Sequence, residues 1–296
     1  MPRPSAEAHQ GERPAAMQIQ LLSDLHLEAH PEFHPSPAQG ADVLVLAGDI
    51  GSYQGGSRLA GRHFGLERFS PLPQWAGWPV PVVYVPGNHE YDGLDFDTAH
   101  ARLQHTCKQL GIHWLERSSL VLQGVRFVGT TLWSDFDALA LQQGGTLAQQ
   151  LEARGKAQRA ANHYLSKTGT LWQGQAMLAE QVRAQGRLCM DWLHAALQAP
   201  HAGPTVVVTH FAPSLRSRDP RYGLTPGTAA FCNALDDWLV HADLWLHGHV
   251  HTPCDYRVHA TRADGRPHAC RVVANPLGYR RKGEQALFRA HCCIAV

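Results

Sequence analysis

The chain has 296 residues, 44% of them hydrophobic and 17% charged, and a formal net charge of +1. That is long enough to bury a substantial core and ordinary for a globular protein. The near-zero charge argues against the basic stripe of a nucleic-acid binder and against an anionic-membrane binder, but not against a small phosphate substrate, because metal ions can supply positive charge locally. The seven cysteines (Cys107, Cys189, Cys232, Cys254, Cys270, Cys292 and Cys293) are odd in number, irregularly spaced and without a Cys-x-x-Cys pair. They read as reduced, mostly buried thiols of a cytoplasmic protein, and not as a disulfide framework or zinc ribbon. No apolar run reaches the roughly 18 residues of a membrane span.

Residues 1–16 are polar and proline-containing with no apolar centre, so they read as a flexible leader and not as a signal peptide. Residues 17–296 show no repeat, low-complexity tract or linker and read as one domain. Met17–Leu22, Val43–Ala47 and Val82–Val85 are short apolar runs, each ending at a Gly- or Asp-containing turn, as expected of strands buried on both faces of an α/β sheet. Asp95–Leu110 predicts a helix stopped by Gly111, and Ser119–Leu122 with Val125–Gly129 a hairpin around Gln123-Gly124. Residues 138–199, rich in Ala, Leu, Gln and Arg, predict several helices broken near Gly144-Gly145, Ser166–Gly169 and Gly186. Thr205–Thr209 is a further buried strand, Leu235–Val240 the end of a helix, and Asp243–Leu246 another strand. Asp255–Val258, Cys270–Ala274 and the final Ile-Ala-Val read as antiparallel strands.

Metal-ligand residue types recur where these strands end. They are Asp24 and His26 in Ser-Asp-Leu-His, Asp49 in Ala-Gly-Asp, and Asn88 with His89 in Pro-Gly-Asn-His-Glu. Then come His210 in Val-Val-Val-Thr-His, and His249 with His251 in Leu-His-Gly-His-Val-His. The carboxyl ends of strands are where α/β active sites gather, so residues distant in sequence can meet at one sheet edge and build a two-metal site. Carboxylate, imidazole and amide oxygen suit zinc, manganese and iron. A lone Asp after a strand is ordinarily a turn or cap residue, and the chain has 20 histidines; the ordered set, every member following a strand, is what outweighs coincidence.

This order of motifs resembles the calcineurin-like metallophosphoesterase superfamily, over nearly all of residues 17–251. Gly-Thr-Thr-Leu-Trp-Ser-Asp-Phe at 129–136 and Asn-Pro-Leu-Gly-Tyr at 275–279 are similar to stretches of its small bacterial members. The resemblance implies a four-layer α/β sandwich, two mixed β-sheets packed face to face with helices outside. It implies two divalent transition-metal ions (Mn²⁺, Fe²⁺/Fe³⁺ or Zn²⁺), with Asp24, His26 and His251 on the first, Asn88, His210 and His249 on the second, and Asp49 bridging both. Two such ions can share a water and lower its pKa, so that hydroxide attacks phosphorus in line. His89, beside a ligand but not a ligand in the family pattern, is then the general acid or transition-state stabiliser for the leaving group, in preference to a residue that only orients Asn88.

The expected function is hydrolysis of a small phosphate mono- or diester. A nuclease of the same superfamily would ordinarily carry a basic groove and a capping domain. A protein phosphatase would carry an Asp-Arg-Gly pattern where this chain continues Ile-Gly-Ser-Tyr. A non-catalytic scaffold would have lost ligands. Among weaker candidates, Tyr91 and Asp92 are substrate contacts or turn residues, and Trp133 with Asp135 read as a core aromatic and a helix cap in preference to pocket-lining residues. Arg280, Arg281 and Lys282 read as a solvated basic turn in preference to a phosphate grip, and residues 51–57 as a mobile loop near the metals. No residue is assigned to substrate binding, and the oligomeric state and the role of residues 138–199 stay open.

Overall fold

A computed structural model describes residues 16–262 and 264–296. The leader expected at residues 1–16 lies, apart from Ala16, outside the described residues. In chain order the elements are β1 (Gln18–Leu22), β2 (Val43–Ala47), β3 (Val82–Val85), α1 (Phe96–Leu110), β4 (His113–Trp114), β5 (Ser118–Leu122) and β6 (Val125–Thr130). The helical region follows, with α2 (Ala138–Gln143), α3 (Leu147–Leu165), a small hairpin of β7 (Leu171–Trp172) and β8 (Gln175–Ala176), and α4 (Ala179–Gln198). The chain closes with β9 (Thr205–Thr209), β10 (Leu244–His247), β11 (Cys254–Thr261), β12 (Pro267–Ala274) and β13 (Cys293–Ala295).

Two mixed sheets result. One runs β13-β1-β2-β3-β4, with β13 antiparallel to β1 and the rest parallel. The other runs β11-β12-β10-β9-β6-β5, parallel in the middle and closed by an antiparallel pair at each edge. Alternate residues of each strand serve different layers. Ile19, Leu21, Val43, Val45, Val83 and Val85 pack with Phe127, Val206, Val208, Leu244, Leu246 and Val273 between the sheets. The residues between them, including Leu44, Leu46 and Tyr84 on one side and Val207, Trp245 and Val272 on the other, join the cluster that holds Leu103 and Leu110 of α1 and Val182, Leu193 and Leu197 of α4. The layers are therefore helix, sheet, sheet, helix. No helix among the described residues is long and apolar enough to cross a membrane.

The helices start where local chemistry permits. Asp95 accepts a hydrogen bond from Thr98 N at 3.0 Å to cap α1, and Gly111, at φ 68°, ends it. Thr146 and Gln149 form a capping box on α3. Three expectations need correction. A hairpin, β7 and β8, interrupts the helical region. The turn at Asp236–His241 is 3-10 and not the end of an α-helix. Gly186 does not break a helix either: it lies inside α4, where a Cβ would stand 2.5 Å from the Trp133 carbonyl and 2.8 Å from that of Ser134. Its missing side chain lets α4 press on the backbone leaving β6, and packing overrides the weak helix propensity of glycine.

This close approach sets the sign of a substitution. Gly186→Ala gains about 1 kcal/mol of helix propensity but forces a methyl group against fixed backbone, which costs about 1–3 kcal/mol. We expect a net loss of stability in denaturant titration; a gain would show that residues 133–134 yield.

Candidate metal centre

The carboxyl ends of β1, β2 and β3 in one sheet and of β9 and β10 in the other meet at one edge of the sandwich. Backbone pairing continues past the strands and brings the motifs together. Asp24 N donates to Gly48 O at 3.0 Å, His26 N to Asp49 O at 3.1 Å, and Gly248 N to His210 O at 3.0 Å. Asp24, His26, Asp49, His249 and His251 all have left-handed backbones, with φ between 46° and 69°. Non-glycine residues rarely adopt that conformation, at a cost of about 1–2 kcal/mol each. The ends of β1, β2 and β10 thereby bend sharply enough to turn these side chains inward.

The side chains form two groups that share Asp49. Ligating atoms of Asp24, His26, Asp49 and His251 lie within 4.8 Å of one another, as do those of Asp49, His210 and His249. Asn88 joins the second group, its Oδ1 3.1 Å from His210 Nε2. In the first, the Nε2 atoms of His26 and His251 face each other at 3.1 Å. Gly87 makes room for this crowding, since a Cβ there would stand 2.1 Å from Asp49 Oδ1.

Hydrogen bonds behind the imidazoles fix which nitrogen faces the centre. His26 Nδ1 donates to Glu28 at 3.0 Å, His251 Nδ1 to Glu284 at 2.7 Å and His210 Nδ1 to the Ala47 carbonyl at 2.9 Å. In each ring Nε2 is left to face inward, the arrangement that supports a metal-ligating histidine. The carboxylates are each half-satisfied. Asp24 Oδ1 accepts from His249 N at 2.8 Å and Asp49 Oδ1 from His89 N at 2.9 Å. Asp24 Oδ2, Asp49 Oδ2 and His249 Nε2 are buried with no hydrogen-bond partner, although His210 Nε2 approaches Asp49 Oδ2 to 3.2 Å outside hydrogen-bond geometry. Bare buried acceptors carry a penalty unless a cation meets them, so this donor set fits divalent ions.

The electrostatics agree. Burial opposes the charge on Asp49, but the imidazoles of His210 and His89 overcome it and hold the carboxyl well below the usual range. Burial likewise opposes a proton on His210 and His251, yet Asp49 and Asp24 respectively lift each to about 9. His26 and His249 are driven well below the ordinary histidine range, His26 by burial and His89, His249 by burial and His210. A field that draws protons onto two rings and leaves two neutral also favours a metal ion competing for the same lone pairs.

His89 stands apart from this packing. Its side chain is one-quarter exposed, with Nε2 4.0 Å from Asp49 Oδ2 and Nδ1 donating to Asp92 at 2.5 Å. Burial works against its charge, but Asp49 and Asp92 raise it to about 10. The sequence reading left Asp92 as a turn residue or substrate contact; the structure gives it the position behind His89. Tyr91 is a core residue bonded to His100 Nδ1 at 3.0 Å, and Trp133 packs among Tyr91, Phe96 and Phe211. Asp135 accepts from Asp137 N at 2.9 Å just ahead of α2. Arg280 pairs with Glu32, while Arg281 and Lys282 lie over the ring of Tyr279. That ring stacks on His26 at 4.2 Å, a neighbour the sequence reading did not find. It also missed Glu28, Glu90 and Glu284. The first two are two and one residues beyond His26 and His89, a signal that was readable; Glu284 is 33 residues beyond His251 and carries none.

A family model described as calcineurin-like phosphoesterase matches residues 17–253, a span containing all eight motif residues. The chain is 23% identical over 261 residues to Uncharacterized protein L509 of Acanthamoeba polyphaga mimivirus, covering 79% of this chain and 84% of that protein. Its structure is similar to that of phosphopantetheinyl hydrolase from Mycobacterium tuberculosis, with a TM-score of 0.62, 21% identity and coverage of 95% and 96% of the two chains. At that identity the likeness speaks for the fold.

Glu90 ties the second and third strand ends together. Its carboxylate accepts from Asp49 N at 3.1 Å, Ile50 N at 2.6 Å and Gly87 N at 2.8 Å. Glu90→Ala leaves three buried N–H groups without acceptors, so unfolding free energy should fall by about 3 kcal/mol or more. A loss below about 1 kcal/mol would mean that water replaces the carboxylate.

Proposed function

The chain belongs to the calcineurin-like phosphoesterase family, and from that premise we propose that it is a binuclear-metal-dependent hydrolase of a small phosphate ester. The observation that carries the reading is Asp49, common to both ligand groups and left with a bare buried oxygen. Asp24, His26 and His251 would hold one ion, Asn88, His210 and His249 the other, and Asp49 both. When bound, divalent ions of the zinc, manganese or iron kind offset charge on the phosphoryl oxygens and make a water acidic enough to attack phosphorus.

The remaining work falls to side chains. Glu28, Glu284 and the Ala47 carbonyl hold the rings of His26, His251 and His210 in register. Asp92 keeps the Nδ1 proton of His89 in place, so the transferable proton sits on Nε2, the atom that faces Asp49. Partial exposure lets that proton reach the leaving oxygen of a substrate lying over the centre. The phosphopantetheinyl hydrolase that shares this fold is in keeping with a phosphate-ester substrate. All seven cysteines are free, which favours the cytoplasmic setting, and residues 17–296 are read as one domain.

The test is hydrolysis of a chromogenic monoester and a chromogenic diester by chelator-stripped protein, with Mn²⁺, Zn²⁺ or Fe²⁺ restored. We expect metal-dependent turnover of at least one ester. In His89→Ala, kcat should fall about 10²–10⁴-fold with metal content intact. Undiminished turnover would remove His89 from the mechanism, and turnover equal with and without metal would overturn the reading. Asp92→Asn should lower kcat less than His89→Ala does, because it leaves the ring in place and loses only its charged partner.

A further inference from the structure

One wall of the centre is apolar and open. The ring of Phe231 stacks on His249 at 5.0 Å between centroids and 30° between planes, and Phe211 covers the same imidazole at 4.0 Å. Phe211 is buried, whereas Phe231 is 41% exposed. An aromatic ring that touches a candidate ligand and still meets solvent offers a face to whatever enters.

The loop that carries it supports the same purpose. Thr228 accepts from Thr225 N at 3.0 Å, donates to the Gly223 carbonyl at 3.2 Å, and its own carbonyl accepts from Phe231 N at 3.1 Å. Upstream, Ser217 Oγ lies 2.9 Å from His247 Nε2, two residues before His249. The loop is therefore pinned at both ends beside the centre, and it also exposes Tyr222 (68%) and Leu224 (46%). The wall beside His26 differs in character: Tyr279 stacks on that imidazole under the cationic groups of Arg281 and Lys282. Anionic oxygens are drawn toward the ions and that basic wall, which sends the uncharged part of a substrate toward Phe231.

Resting on the hydrolase reading above, we propose that Phe231 binds the leaving half of the substrate, and that this half carries a flat apolar or heteroaromatic group. The substrate class is then a phosphate ester of an aryl- or base-bearing alcohol, as opposed to a bare polyol phosphate. Stacking and burial of such a ring favour it because aromatic pairs gain beyond their area.

Phenylphosphonate and methylphosphonate share their charge, differ in that ring, and cannot be hydrolysed at the P–C bond. Calorimetric titration of the Mn²⁺-loaded protein should give phenylphosphonate an affinity about tenfold higher. The ratio should fall below about threefold in Phe231→Ala, with an intermediate value in Phe231→Leu, whose branched side chain keeps the loop packed. Equal affinities in the wild-type protein, or a ratio unmoved by both substitutions, overturn the proposal. Failure of the protein to take up Mn²⁺ overturns the two-ion reading, whereas failure of both phosphonates to bind metal-loaded protein overturns this inference alone.

Discussion

Two buried carboxylates, Asp24 and Asp49, each have one oxygen held by a backbone N–H and the other left bare. An arrangement of that kind is unfavourable alone. The surrounding backbone makes it more so, because five inward-turned residues hold left-handed φ values. At about 1–2 kcal/mol each, their combined strain is comparable to the 5–15 kcal/mol by which ordinary domains are stable. Such an outlay persists only where something offsets it, and cations meeting the bare oxygens and inward Nε2 atoms would do so. The tight glycines, the carboxylates behind the rings and the fully paired strands behind them all serve that one electrostatic requirement.

Much of this was legible in the sequence, for identifiable reasons. Val43–Ala47, Val82–Val85 and Thr205–Thr209 appear with the bounds read from sequence, because a strand buried on both faces is apolar throughout and ends abruptly at its turn. Since each motif sits at such an end, the sheet brings Asp24, Asp49, Asn88 and His210 together once the strands pair. What stayed hidden depends on three-dimensional packing. Gly186 looks like a helix breaker until the backbone of residues 133–134 is seen against it. The two-residue strands β7 and β8 are too short for any periodicity. Glu284 and Tyr279 reach His251 and His26 across the fold, where spacing carries no information.

The helical region, uninformative as sequence, acquires a place. After α3, Thr168 accepts from Gly93 N at 2.8 Å and Leu171 N donates to Leu94 at 2.9 Å, bracing the segment that follows His89 and Asp92. α3 also packs on the turn at Pro226–Ala230 that leads into Phe231. One segment therefore supports both the loop of His89 and the loop that carries Phe231. Changes there can alter what the site accepts while leaving the ligands alone, which is how one scaffold serves many esters.

The central claim is that Asp49 is shared by two ions, and elemental analysis of metal bound per chain tests it most directly. Protein saturated with Mn²⁺ or Zn²⁺ and freed of excess should retain two ions per chain, and Asp49→Ala at most one. Two ions retained without Asp49, or none in the unaltered protein, would contradict the account.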